Sequence, residues 1–170
     1  GLSSAVIEGF KRARGSVLVC MDADLSHPPK TLPELIKAVL EEQADFAIGS
    51  RYVEGADIES SWSFFRRLNS RISKSMALPF TKAKDPISGF FALKKETFLS
   101  SVYLNPIGSK IGLELIVKCG CRNIKEIPIF FSDRKYGSSK LNFKEQLRYI
   151  QHIKRLFDYI YGNLAKFFQF

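Results

Sequence analysis

A short apolar run, Ser16-Val-Leu-Val-Cys-Met21, ends on two aspartates one residue apart, Asp22-Ala23-Asp24. The run is rich in β-branched residues, lacks polar alternation and is too short for a helix, so it is predicted as a strand buried on both faces. Gly15 stops the helix predicted before it, Ser3 to Arg14, whose Val6, Ile7 and Phe10 share one side. Thr31 to Gln43 follows as a second amphipathic helix, with Leu32, Leu35, Ile36, Val39 and Leu40 on its apolar face. A strand at Phe46-Ala-Ile48 comes next. Helix and strand alternating at this pace predict an α/β layered sheet, in which ligands gather at the carboxyl ends of the strands. The aspartate pair stands at such an end.

Composition narrows the class of protein. The 170 residues are 45% hydrophobic and 25% charged, enough apolar surface for a real core and too much for a disordered chain. Nothing approaches the ~18 uninterrupted apolar residues of a membrane span, and no leader pattern is visible. Cys20, Cys119 and Cys121 are too few for a disulfide scaffold, and their odd number suits a reducing compartment. With 26 Lys+Arg against 17 Asp+Glu, the chain carries a net +9 and calls for an anionic partner: nucleic acid, a phosphate-bearing substrate or an acidic membrane face.

Further along, Trp62 to Lys84 is predicted helical, with six basic residues (Arg66, Arg67, Arg71, Lys74, Lys82, Lys84) and no acidic one. Asp85-Pro-Ile-Ser-Gly-Phe-Phe breaks it and leads into a strand. Ile111 to Lys118 reads as a helix, and Ile124 to Phe131 as a strand in which Pro128 marks an edge or a bend. Asp133-Arg-Lys-Tyr-Gly-Ser-Ser-Lys140 is a polar loop. From Asn142 on, the chain reads as a helix rich in aromatics.

Several of these pieces can carry chemistry. Asp22 and Asp24 can share a hard cation such as Mg²⁺ or Mn²⁺, which is held by one or two carboxylates plus substrate phosphates. Alternatively, Asp22 terminates a strand and Asp24 caps a turn; the apolar strand before them and His27-Pro-Pro after them favour the cation. On a helix Arg66, Ser70 and Lys74 share a face at successive i,i+4 positions. With no local counter-charge, that face points to phosphate binding over a salt-bridged surface. Arg51 emerges on the same side as the aspartates. Arg134, Gly137, Ser139 and Lys140 form either a surface loop or a loop suited to a diphosphate. Cys119-Gly-Cys121 lacks a second pair and makes no zinc site, and His27 is expected to shape its turn.

The motifs Met-Asp22-Ala-Asp24-Leu-Ser-His-Pro-Pro, Gly49-Ser-Arg51-Tyr, Arg66-Arg-Leu-Asn-Ser70-Arg, Asp85-Pro-Ile-Ser-Gly-Phe-Phe, Gly108-Ser-Lys110-Ile and Arg134-Lys-Tyr-Gly-Ser-Ser-Lys140-Leu occur in this order. Over residues 1–141 the chain resembles the dolichol-phosphate mannose synthases within the family 2 glycosyltransferases. The resemblance implies a GT-A fold, a Rossmann-like α/β sandwich with a mostly parallel sheet. It implies inverting transfer of a hexose, mannose from GDP-mannose or a related sugar from a UDP-hexose, to a polyprenyl phosphate. Asp22, Ala23 and Asp24 would then bind the donor, with Asp22 and Asp24 holding Mg²⁺ or Mn²⁺. Ser26 stands where the family often has a glutamine ligand, and is a weaker third ligand. Lys110, Arg134 and Lys140 match donor-phosphate contacts; Arg51, Arg66 and Ser70 match the lipid-phosphate site; Asp85 matches an acceptor-side residue and joins Asp24 as a catalytic candidate.

The resemblance also sets expectations for the ends. Residues 1–141 form part of a catalytic domain lacking its first strands and its base-binding segment, and the chain alone is expected to be poorly active. Residues 142–170 form an amphipathic juxtamembrane helix or a helix packed on its own domain, with Lys144, Arg148, Lys154, Arg155 and Lys166 among Phe and Tyr. The implied setting is peripheral, on the cytoplasmic face of a membrane. Rival readings are an inactive gene fragment, a haloacid-dehalogenase-like phosphatase with Asp22 as nucleophile, and a basic nucleic-acid-binding module. The phosphatase needs a downstream acidic pair that is absent, and the module needs aromatics on an exposed strand face, so nucleic acid is the least expected partner.

Overall fold

The computed structural model describes residues 1–60, 62–101, 103–133 and 143–167. In chain order the elements are α1 (Leu2–Arg12), β1 (Val17–Cys20), α2 (Leu32–Leu40), β2 (Phe46–Ser50), β3 (Asp57–Ile58), α3 (Phe64–Ala77), β4 (Phe91–Lys94), α4 (Lys95–Leu99), α5 (Ile111–Lys118), β5 (Ile124–Pro128), β6 (Phe130–Phe131) and α6 (Phe143–Phe167). Single 3₁₀ turns precede α2 and follow α3.

Four strands form one sheet in the order β1-β4-β2-β5. β4 runs antiparallel to both β1 and β2, while β2 and β5 are parallel, so β1, β2 and β5 all point the same way. Side chains alternate across the sheet as the strand period requires. Leu18, Phe46, Ile48, Phe91 and Leu93 meet Phe10 of α1, Phe98 of α4 and Ile111, Leu115 and Ile116 of α5. On the opposite face Ala47, Ala92 and Ile127 meet Leu35, Ala38 and Val39 of α2. The result is a three-layer helix–sheet–helix sandwich.

β1 departs from the expectation of burial on both faces. Only Leu18 is fully buried, because β1 is the outer strand of the described sheet and flanks an open groove lined by Val6, Phe10, Ala13, Val17 and Val19. The helix expected over Trp62–Lys84 is shorter, since Pro79 and the 3₁₀ turn Leu78–Phe80 end it. The strand expected over Ile124–Phe131 bends at Pro128, and its last residues pair in parallel with β3 in a separate two-stranded sheet. α6 docks on its own domain: Tyr149 and Leu156 join Ala77, Ile87 and Leu113 in a third cluster, and the Tyr149 hydroxyl donates to the Ser73 carbonyl at 2.7 Å. No helix among the described residues is long and apolar enough to cross a membrane.

Candidate functional site

β1, β2 and β5 deliver their carboxyl ends to one edge of the sheet, and the segment 84–90 crosses that edge before entering β4. It is pinned there by the Gly49 N–H donating to the Phe90 carbonyl at 2.8 Å and the Ser88 hydroxyl donating to the Gly49 carbonyl at 2.8 Å. Gly89 lies against Asp22, where a Cβ would come within 3.5–3.6 Å of both carboxylate oxygens. Gly112, near the start of α5, packs as closely on Phe91 and the Ser88 carbonyl. The amino end of α5, with Lys110 at its N-cap, thus borders the same segment.

The loop after β1 is built to present two carboxylates. The Asp22 N–H donates to His27 Nδ1 at 3.2 Å, and His27 is buried, stacked on Phe90 at 5.1 Å and edge-on to Phe131. Burial pushes the His27 pKa down, against the opposing pull of Asp22. The ring is therefore neutral, with its proton on Nε2, and it shapes the turn as the His-Pro-Pro sequence suggests. Asp24 Oδ1 accepts from the Ser26 N–H at 3.1 Å and from the Ser26 hydroxyl at 2.5 Å. Ser26 is 1% exposed, and its hydroxyl orients the Asp24 carboxylate. Leu25, between them, takes a φ of +65°, a left-handed conformation that costs a non-glycine residue about 1 kcal/mol and recurs at functional loops.

Arg51 and Asp85, both expected on the acceptor side, are held to each other. Arg51 Nε and Nη2 each donate at 2.8 Å to the two Asp85 oxygens, and the Arg51 N–H adds a third bond at 3.0 Å. Burial disfavours the Arg51 charge, but the bonds and charge of Asp85 overcome it and raise the guanidinium pKa. Asp85 is 0% exposed, and both of its carboxylate oxygens accept from Arg51. The role of a base does not suit it; positioning Arg51 does.

Arg66 and Ser70 line one face of α3, as their spacing predicts. Arg66 stacks on Trp62 at 3.9 Å and donates to Asp133 Oδ1 at 2.8 Å. The expectation that this basic stretch lacks acidic partners is corrected here: the partner comes from 67 residues away. Tyr52 and Lys74 belong to the same patch: helical spacing places Lys74 beside Arg66 and Ser70, and the fold brings Tyr52 to them. The Tyr52 hydroxyl is 2.7 Å from Ser70 Oγ, and Lys74 Nζ lies 4.3 Å from the Tyr52 ring. The signal was present in Gly49-Ser-Arg51-Tyr, where a tyrosine beside an arginine leaves a strand end. Arg134 and Lys140 lie outside the described residues. Cys119 and Cys121 flank the Gly120 turn after α5, and no group of three His, Cys, Asp or Glu among the described residues could by itself hold a metal.

Known proteins account for this layout. A model of glycosyl transferase family 2 matches residues 1–99. The dolichol-phosphate mannosyltransferase of Pyrococcus furiosus is 49% identical over 160 residues, covering 92% of this chain and 45% of that protein. The enzyme of the same name from Saccharomyces cerevisiae is 43% identical over 180 aligned positions, covering 100% of this chain and 66% of that protein. The chain spans roughly half to two-thirds of the length of the curated relatives it matches. Among solved structures, glucosyl-3-phosphoglycerate synthase from Mycobacterium tuberculosis in complex with Mn²⁺, UDP-glucose and phosphoglyceric acid is similar with a TM-score of 0.60. That match covers 93% of this chain and 54% of that one at 15% identity, and it establishes the GT-A fold. A mixed sheet with three strands in one direction, a carboxylate pair at their carboxyl edge and a matching family model lead to one assignment: this chain belongs to glycosyl transferase family 2.

Proposed function

We propose that the chain is the site-bearing part of an inverting mannosyltransferase that moves mannose from a nucleotide sugar, GDP-mannose by preference, to dolichyl or another polyprenyl phosphate. The observation that carries this reading is one of placement. A carboxylate pair and a patch of Arg66, Ser70, Tyr52 and Lys74 flank the same sheet edge, and curated relatives at 41–49% identity bear the name dolichol-phosphate mannosyltransferase.

Two carboxylates fit Mg²⁺ or Mn²⁺, which complete their shell with substrate phosphates and water. Asp22 and Asp24 would hold that ion, which supplies positive charge against the departing nucleoside diphosphate. Lys110, Arg134 and Lys140 would add cations on the donor side, where charge develops in the transition state. The acceptor needs little activation. A phosphate monoester with a second pKa near ~6 is largely dianionic at neutral pH, so no histidine or free carboxylate is required as base. Arg66, Ser70, Tyr52 and Lys74 would grip that dianion, and Arg51, braced by Asp85, would add charge behind them. Held in line, one phosphate oxygen attacks the anomeric carbon from the face opposite the leaving group, and the configuration inverts.

A membrane surface is the natural place for a prenyl acceptor. In support, α3 turns Phe64, Phe65, Leu68 and Ile72 to solvent, with Phe64 and Phe65 73% and 79% exposed. Arg66 and Lys74 stand on its other side, against Trp62 and Tyr52. Such a helix suits an interface whose headgroups are anionic, on the cytoplasmic face if the cysteines reflect a reducing compartment. The test is to incubate the full-length polypeptide carrying this sequence with a short polyprenyl phosphate and, in parallel, GDP-mannose and UDP-glucose, with Mg²⁺ or Mn²⁺. Formation of an acid-labile prenyl phosphomannose is expected. Absence of any glycolipid with either donor, or a phospho-aspartate at Asp22, would overturn the reading.

A further inference from the structure

Glu126 lies on β5, paired across from Ile48 of β2, and takes no place in the chemistry proposed above. Its two carboxylate oxygens accept from two successive backbone amides, the Lys84 N–H at 2.7 Å and the Asp85 N–H at 2.9 Å. An ionised carboxylate spanning adjacent amides makes charge-assisted bonds, stronger than neutral ones, and fixes the orientation of the peptide it holds. The peptide held here is that of Asp85, whose buried carboxylate in turn holds Arg51 through three bonds. The order is strand carboxylate, loop amides, buried aspartate, arginine.

The same arrangement recurs across the patch. Glu59, just after β3, accepts the Asp133 N–H, and Asp133 accepts from Arg66 at 2.8 Å. Two arginines are thus each held by an aspartate whose own amide is held by a glutamate. A carboxylate beside a cationic site weakens it unless it also fixes the cation's geometry; the repeated use of backbone amides as the middle link favours geometry.

We propose that Glu126 is a positioning residue, which through the Lys84–Asp85 amides and the Asp85 carboxylate sets the Arg51 guanidinium for the acceptor phosphate. The assignment of Arg51 to that phosphate rests on the function proposed above; the mechanical link from Glu126 to Arg51 does not. Glu126→Gln keeps the shape but turns an NH₂ toward one of the two amides, so one bond is lost and Asp85 is loosened.

Two readouts separate the link from the function. In the 170-residue chain, hydrogen exchange of the Arg51 Nε–H, followed by NMR, is expected to be about tenfold faster in E126Q than in wild type, with the circular dichroism unchanged. In the full-length polypeptide, E126Q is expected to raise the KM for a short polyprenyl phosphate about tenfold while that for the nucleotide sugar stays within about twofold. Should E126Q fail to fold, E126D, which keeps the charge but shortens the reach, is expected to show the same changes in smaller degree. Equal Arg51 exchange in wild type and variant overturns the proposal whatever the activity. A fall in kcat with both KM values unchanged overturns it as well, because it would place Glu126 outside acceptor binding. If the wild type transfers no sugar at all, the function falls and the exchange of Arg51 alone decides the link.

Discussion

Removing the Glu114 side chain should cost this fold several kcal/mol. It sits in α5 at 1% exposure, and one of its oxygens accepts from Lys118 Nζ at 2.9 Å and from the Asn105 N–H at 2.7 Å. The other lies 3.1 Å from Nε2 of His152 on α6, a close contact off the line of a hydrogen bond. Glu114→Ala removes the counter-charge of the Lys118 ammonium, 11% exposed, which keeps only its bond to the Tyr103 carbonyl at 2.9 Å, and leaves the Asn105 amide without its acceptor. Breaking a buried pair from one side costs ~3–5 kcal/mol and an orphaned amide ~1–3, which overlap because relaxation admits water to both. A loss of about 4 kcal/mol follows, or ~8–16 °C in Tm for a chain of this size. Burial alone would raise the Glu114 pKa, but His152, Lys118 and the Asn105 amide outweigh it and hold the carboxyl below its ordinary value. The unfolded chain therefore takes up this proton first. The contribution is intact at neutral pH and drains away as pH falls below ~4.3. Urea melts at pH 7 and at stepwise lower pH would read both effects, and Glu114→Gln should flatten that share of the acid loss. A Tm change under about 3 °C for Glu114→Ala would refute the reasoning, since it would mean that water already serves these groups.

Other substitutions probe the site and the packing beneath it. Asp24→Asn should fold like wild type but lose ~100-fold or more in transfer rate, with activity against Mn²⁺ concentration as the measurement; unchanged turnover would remove Asp24 from metal binding. Gly49→Ala would set a Cβ 2.5 Å from Phe90 Cδ1 and 3.3 Å from Ile129 Cγ2, inside a packed core. That strain should cost about 1–3 kcal/mol in chemical denaturation. Phe64→Ser with Phe65→Ser should abolish sedimentation with anionic vesicles while leaving the melting curve within about 1 kcal/mol, since neither ring is buried.

Local pattern accounts for most of the elements. The helix at Ile111–Lys118 and the bend at Pro128 stand where sequence places them, because an apolar helical run closed by the Gly120 turn and a missing N–H act within a few residues. The direction of β4 had no such signal. Phe91-Ala-Leu-Lys94 is equally apolar whichever way it runs, and only the crossing of residues 84–90 over the sheet edge makes it antiparallel. β1 has the composition of a strand buried on both faces, and among the described residues it is the outer strand of its sheet with Leu18 fully buried.

The charges teach the larger lesson about the site. Arg51, Arg66 and the aspartate pair were legible as candidates because each ends a strand or repeats on a helix face. Their states were not. From sequence, Arg66 stands in a stretch without acids and Asp85 is a carboxylate near an active site; in the fold, Asp133 neutralises the first and Arg51 consumes the second. Both partners are tens of residues away, so no local window contains them. It follows that a net charge of +9 overstates the positive field at this edge. Arg51 and Arg66 contribute to that field only the share that their aspartates leave. A cationic site built this way gains its geometry from carboxylates and gives up some of its attraction in return. Substituting Asp85 would therefore not simply strengthen phosphate binding: it would unbalance a buried arginine and lose the geometry first.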